Sequence, residues 1–90
     1  MLERHLNVVN ALGLHARAAA QLVRLAGKFR CRIMLKRDDT GVEANAKSIL
    51  SVLYIAAGYG VWLRLTTDGD DEAEAIDAIE KLFLDGFGEM

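Results

Sequence analysis

Residues 10–29, "NALGLHARAAAQLVRLAGKF", place a glycine turn directly before an amphipathic run. Behind the turn, apolar residues recur at helical spacing, at Ala19, Leu22, Val23 and Ala26. The pattern predicts a helix that begins at Ala16 and ends at Gly27. His15 then occupies the N-cap position and Arg17 lies in the first helical turn. The basic pair of this turn therefore stands where a helix begins.

Shorter patterns on either side of this helix predict the other elements. Residues 3–10, "ERHLNVVN", are typical of a strand that ends near Asn10, and "CRIMLKR" with "GVEAN" predicts a hairpin after the helix. The apolar stretch "AKSILSVLYIAAG" fits a short helix or a buried strand, and the helix is favoured. "VWLRLTT" predicts a strand. After the acidic "DGDDE", a final helix is predicted from its apolar stripe at Ala75, Ile76, Ile79, Leu82 and Phe83.

The order of these elements is strand, helix, strand, strand, helix, strand, helix. A chain of 90 residues suffices for a single domain, residues 1–90, with one modest core. This order suits a mixed or antiparallel sheet whose helices pack on one face. An α+β fold is therefore expected.

Composition excludes several classes of protein. The chain is 52% hydrophobic and 27% charged with a formal net charge of −2, which is ordinary for a soluble protein and argues against nucleic acid as a partner. No apolar run is long enough for membrane insertion, and the start "MLERHLNVVN" lacks the pattern of an export signal, so a cytoplasmic location is expected. The single cysteine, Cys31, excludes an intramolecular disulfide, and two separated histidines make a poor metal site.

The start of the first helix has the chemistry of a phosphate site. The first N–H groups of a helix have no intrahelical acceptor and favour an anion, and a guanidinium at Arg17 can donate a forked pair of hydrogen bonds to phosphate oxygens. A neutral imidazole is a nucleophile and, once protonated, a leaving group, so His15 could accept and release a phosphoryl group. Spacing alone leaves it equally open that His15 is an exposed turn histidine and Arg17 a solvated residue.

Two motifs carry a family resemblance. "GLHARAAAQLV" resembles the phosphorylation site of HPr, the histidine phosphocarrier of the bacterial phosphotransferase system, and "AKSILSVLYIAAGYG" resembles the regulatory-serine helix of that family. The resemblance implies an open-faced β-sandwich, with a four-stranded antiparallel sheet and three helices on one face, that needs no cofactor. It makes His15 the phosphorylated residue, through Nδ1, and Arg17 its phosphate-binding partner beside the backbone of Ala16 and Ala18. Ser48 would be the regulatory serine.

The resemblance also implies partners and a mode of action. The protein would be a monomeric, stoichiometric carrier rather than an enzyme, taking its phosphoryl group from Enzyme I and giving it to a IIA component. HPr kinase/phosphorylase is a candidate partner at Ser48, although an ordinary helix cap would equally explain a serine there. Ala18 departs from the family pattern, where proline is usual. The ending "KLFLDGFGEM" resembles NPr, the nitrogen-related paralogue, so a regulatory phosphoprotein is the alternative function.

A carrier also needs a docking surface around its histidine. The apolar candidates for this surface are Leu14, Ala20, Ile49, Leu50 and Leu53. Resemblance to HPr adds Arg24 and Lys28 on the first helix, which would meet acidic partners. The alternative for the leucines is simple burial in the core, and for Leu53 burial is at least as well supported as docking. A further alternative for the whole protein is an anion-binding module that uses the helix start without covalent chemistry.

Overall fold

A computed structural model describes residues 1–55 and 57–89, and the order of elements within them is the predicted one. The elements are β1 (Leu2–Asn7), α1 (Ala16–Ala26), β2 (Arg32–Arg37), β3 (Glu43–Asn45), α2 (Ile49–Ile55), β4 (Trp62–Asp68) and α3 (Glu72–Leu84). A short 3₁₀ turn, Gly86–Gly88, follows α3. The stretch "AKSILSVLYIAAG", for which the sequence allowed either a short helix or a buried strand, contains the helix α2. None of the helices in the described ranges is long and apolar enough to cross a membrane.

The strands form one antiparallel sheet in the order β1-β4-β2-β3. The last strand in the chain, β4, lies between β1 and β2 and pairs with both. In this register Leu65 lies opposite Arg4 of β1 and opposite Leu35 of β2. The helices cover one face of this sheet, with α3 against β1 and β4 and with α1 between α2 and α3. The fold class expected from the sequence, an open-faced α+β sandwich, is confirmed.

The core lies between the sheet and the helices. Alternate residues of the strands point into it, and α1 and α3 contribute stripes at helical spacing; the largest fully buried side chains include Leu22, Ile33, Leu35, Leu63, Leu65, Ile76, Ile79 and Phe83. Burial of one such side chain contributes about 1.5–3 kcal/mol. Because Ala18, Ala19 and Ala26 of α1 are also fully buried, that helix packs closely on its neighbours. The start of α1 is therefore rigidly held.

The first strand is shorter than predicted. Its regular pairing ends at Asn7 rather than near Asn10, although Val8 still exchanges hydrogen bonds with its neighbours: its N–H donates to Val61 O at 3.0 Å and its carbonyl accepts the N–H of Gly60 at 2.8 Å. Beyond Val8 the chain leaves the ladder because it must turn towards α1.

A glycine turn joins that strand to α1 and ties it to the end of α2. Gly13 has a φ of 67°, which favours glycine, and a Cβ there would come within 2.6 Å of the carbonyl oxygen of Ala57. The next residue, Leu14, donates its N–H to that same oxygen at 2.8 Å. A side chain at position 13 would push this contact apart, so the glycine fixes where His15 stands.

Candidate functional site

The start of α1 presents backbone donors beside His15. His15 is the N-cap residue, with extended dihedrals (φ −73°, ψ 179°), and its carbonyl accepts the first intrahelical bond, from Ala19 N–H at 2.8 Å. The N–H groups of Ala16, Arg17 and Ala18 precede that bond. Together with the positive end of the helix dipole, they favour an anion at this end of α1.

Ala18 and Arg17 serve this site in different ways. The methyl group of Ala18 is fully buried, so only its backbone can face a ligand, whereas Arg17 is exposed and free to reach into solvent. An open groove at the helix start is lined by Ala11, Leu12, His15, Ala16, Arg17, Gly88 and Glu89. The structure thus brings the predicted imidazole and guanidinium to the same groove.

The groove contains a carboxylate that the sequence did not point to. Nε2 of His15 is hydrogen-bonded to Oε2 of Glu89, and Oε1 of Glu89 accepts a hydrogen bond from Nδ2 of Asn10 at 2.9 Å. The amide of Asn10 and, second to it, the ring of His15 hold the pKa of Glu89 below its usual range. Glu89 is therefore an ionised acceptor next to the imidazole.

Phe87 brings Glu89 to this place. Its backbone adopts a left-handed φ of 57°, uncommon outside glycine, and its side chain is 2% exposed. The ring packs edge-on against Phe83 of α3 with a centroid distance of 4.9 Å. This anchor turns residues 88–89 back towards the start of α1. The Gly-Phe-Gly sequence is the local signal of the turn, but nothing local indicates that the turn delivers a carboxylate to a residue 74 positions away.

Ser48 stands at the start of α2. It directly precedes Ile49, its carbonyl accepts the N–H of Val52 at 3.0 Å, and its hydroxyl accepts the N–H of Ser51 at 3.3 Å. The other end of α2 is the one tied to the His15 turn through Ala57. Ser48 and His15 therefore lie at opposite ends of this helix, so a change at Ser48 would act on the surface of α2 rather than on the imidazole itself.

The apolar candidates for docking separate into exposed and buried residues. Leu50 is 76% exposed, and Ile49 and Leu53 are 38% and 37% exposed, so α2 presents an apolar surface. Leu14 is only 5% exposed because the Gly13 turn folds its side chain into the core, so simple burial, the alternative given for the leucines, describes Leu14. Ala20 is half-buried.

Other exposed side chains extend that surface. Tyr54 on α2 is 77% exposed and Leu12, in the groove beside His15, is 70% exposed; neither was singled out in the sequence. Arg24 and Lys28 are both exposed at the end of α1. We call the exposed residues Ile49, Leu50, Leu53 and Tyr54 the α2 surface.

Comparison with known proteins agrees with this architecture. The family model described as the PTS HPr component phosphorylation site matches residues 2–85. The phosphocarrier protein HPr of Cupriavidus necator is 47% identical over 89 residues, which are 99% of this chain and 98% of that protein. HPr of Treponema pallidum is 45% identical over 89 residues, again 99% of each.

Solved structures agree as well. The crystal structure of HPr-C-His from Thermoanaerobacter tengcongensis superposes with a TM-score of 0.93 at 39% identity and covers 100% of this chain and 99% of that one. HPr from Bacillus anthracis gives a TM-score of 0.85 at 34% identity, over 91% of this chain and 95% of that one. The protein is a phosphocarrier of the phosphotransferase system. Within that class, this chain belongs to the HPr family.

Proposed function

We propose that this protein, acting as a single domain of residues 1–90, accepts a phosphoryl group on Nδ1 of His15 from Enzyme I and passes it to a IIA component. The observation that carries the proposal is the placement of His15 at the N-cap of α1, with Arg17 in the same groove. Membership of the HPr family supports it.

The transfer needs little from the protein besides positioning and charge. The lone pair of the imidazole nitrogen attacks phosphorus while the bond from phosphorus to the donor atom of Enzyme I breaks, and the electrons of that bond remain on the donor. The N–H groups that precede the first intrahelical bond of α1 and the guanidinium of Arg17 stabilise the charge on the phosphoryl oxygens. Transfer to the acceptor is the same step in reverse. The protein therefore acts as a stoichiometric carrier.

The α2 surface supplies the docking area for both partners in this proposal. Its exposed apolar side chains stand on a helix that packs against α1, and α1 carries the exposed Arg24 with the exposed Lys28 just after its end, which suits a partner with an apolar centre and an acidic rim. Because the donor and the acceptor would bind the same surface one after the other, each complex must be weak enough to dissociate quickly. We expect the free protein to be a cytoplasmic monomer.

Intact mass after incubation with phosphoenolpyruvate and Enzyme I tests the proposal. One added phosphoryl group is expected, labile in acid and stable in alkali, as a phosphoramidate is. His15→Ala should fold and remain unlabelled. Labelling of that variant at the parent rate would place the phosphoryl group on another residue.

The same labelled protein can separate the sugar-type pathway from the NPr-type regulatory one. Chasing the label onto a sugar-specific IIA and, in parallel, onto a nitrogen-type IIA compares the two acceptors directly. Rapid transfer to the first supports a role in sugar uptake. Transfer to the second alone supports the regulatory alternative.

A further inference from the structure

We propose that Glu89 is a positioning residue that holds the ring proton of His15 on Nε2 and so leaves the lone pair of Nδ1 free for the phosphoryl group. The inference rests on the proposed function. The inference adds to the proposed function a specific role for Glu89, a carboxylate that lies 74 positions from His15 in the chain.

The proton assignment follows from what each group can do. An ionised carboxylate only accepts hydrogen bonds, and a neutral imidazole carries one proton on one of its two nitrogens. Since Nε2 of His15 is bonded to Oε2 of Glu89, Nε2 must be the nitrogen that carries the proton. The lowered pKa of Glu89 keeps this carboxylate ionised at neutral pH. Nδ1 is then the unprotonated, nucleophilic nitrogen.

Asn10 fixes the carboxylate in turn. Its Nδ2 donates to Glu89 at 2.9 Å and to the carbonyl of Gly13 at 2.9 Å, and its side chain is fully buried. Rotating the amide by half a turn would place its oxygen against two acceptors, so only one orientation is favourable. Because Gly13 also fixes the turn before His15, the imidazole and its carboxylate are held by the same buried residue.

The carboxylate also suits the product of the transfer. When Nδ1 forms its bond to phosphorus and the donor atom departs with the electrons of the broken bond, no proton leaves His15. The ring keeps its Nε2 proton and becomes a phosphorylated imidazolium with a positive charge. Glu89 accepts the hydrogen bond from that N–H, and the cationic ring separates it from the phosphoryl oxygens, so the carboxylate stabilises the ring charge with limited repulsion.

The test pairs ring-nitrogen NMR with the rate of phosphorylation. In protein carrying ¹⁵N-labelled histidine, above the pH at which the ring loses its charge, the nitrogen shifts of His15 should show the proton on Nε2. Glu89→Gln keeps the shape but offers an amide that can accept from or donate to the ring, so the shifts should move towards a mixture of tautomers. The same variant should accept the phosphoryl group from Enzyme I about tenfold more slowly.

Glu43→Gln is the matched control. Glu43 is an exposed carboxylate on β3, paired across the sheet with Lys36, and it lines a different groove from His15. Its replacement should leave both the His15 shifts and the rate unchanged.

The outcomes separate the two proposals. An unchanged tautomer in Glu89→Gln, or a shifted tautomer with the parent rate of phosphorylation, overturns the positioning role of Glu89. Failure of the unaltered protein to become phosphorylated overturns the proposed function instead, and the ring shifts still report the tautomer in that case.

Discussion

Ser48 and Ser51 close the first turn of α2 between them. The hydroxyl of Ser48 accepts the N–H of Ser51 at 3.3 Å, and the hydroxyl of Ser51 accepts the N–H of Asn45 at 2.9 Å, which joins the helix start to the end of β3. Loss of a serine cap costs about 1 kcal/mol. Ser48 is thus a structural residue at the edge of the α2 surface, and any regulatory role must act from that position.

Ser48→Asp should fold normally and accept phosphate from Enzyme I much more slowly. A carboxylate is tolerated at a helix start, but the new charge stands next to Ile49 and Leu50 and repels an acidic partner. Added salt should reduce the defect. Rates of phosphorylation at low and high ionic strength measure the effect. Thr40→Asp, in the exposed loop between β2 and β3, is the control, and equal rates for Ser48→Asp and the parent protein at low salt would leave Ser48 as a cap alone.

Arg17→Ala should slow phosphoryl transfer without weakening the fold. Losing one charge-assisted pair costs about 1.5–3 kcal/mol at the transfer step, or roughly tenfold to a hundredfold in rate. Because Arg17 is exposed, the melting temperature should change little. Arg17→Lys keeps the charge but not the forked donors, so its rate should lie between those of Arg17→Ala and the parent protein. Rapid-quench labelling gives these rates, and a parent-like rate for Arg17→Ala would remove the phosphate-binding role.

Ile49→Ala should weaken binding to Enzyme I about threefold to tenfold, since the lost methyl groups belong to the proposed docking area. Leu2→Ala on β1 is a matched control, because Leu2 is 37% exposed and Ile49 is 38% exposed. Both changes remove similar apolar area from the free protein, so their effects on melting should be similar. Titration calorimetry with Enzyme I distinguishes them. Equal loss of affinity in the two variants would show that the α2 surface is not the docking site.

Asp71→Asn should reduce stability at neutral pH and have little effect in acid. The carboxylate of Asp71 accepts the N–H of Arg30 at 2.8 Å and that of Cys31 at 2.9 Å, and these bonds, the first above all, lower its pKa. A carboxyl group whose pKa is lowered on folding stabilises the protein above its unfolded value of about 3.9, and that contribution disappears as the pH falls through the folded pKa.

Melting temperatures between pH 7 and pH 2 measure this effect. The difference between the parent protein and Asp71→Asn should be largest at pH 7 and shrink below about pH 4. Asp70→Asn changes a neighbouring exposed carboxylate and serves as the control. A difference that stays constant across this range would contradict the role assigned to Asp71.

Local patterns in the sequence determined most of the secondary structure and half of the candidate site. The helical spacing after Gly13 located α1 at Ala16–Ala26, and with it the N-cap position of His15 and the first-turn position of Arg17. These features depend on neighbours within a few residues, where hydrogen bonding and the period of the apolar residues leave few choices. The motif around His15 then identified the family.

Only the tertiary structure decided which distant residues meet. The alternation in β4 predicted a strand but not its central place between β1 and β2, because the pairing of strands depends on the whole core. The sequence left docking and burial open for Leu14, and the Gly13 turn folds its side chain inwards. Glu89 reaches His15 because burial of Phe87 turns the segment that follows it back towards α1. Each of these contacts joins residues far apart in the chain, and their free energy comes from packing that no local pattern encodes.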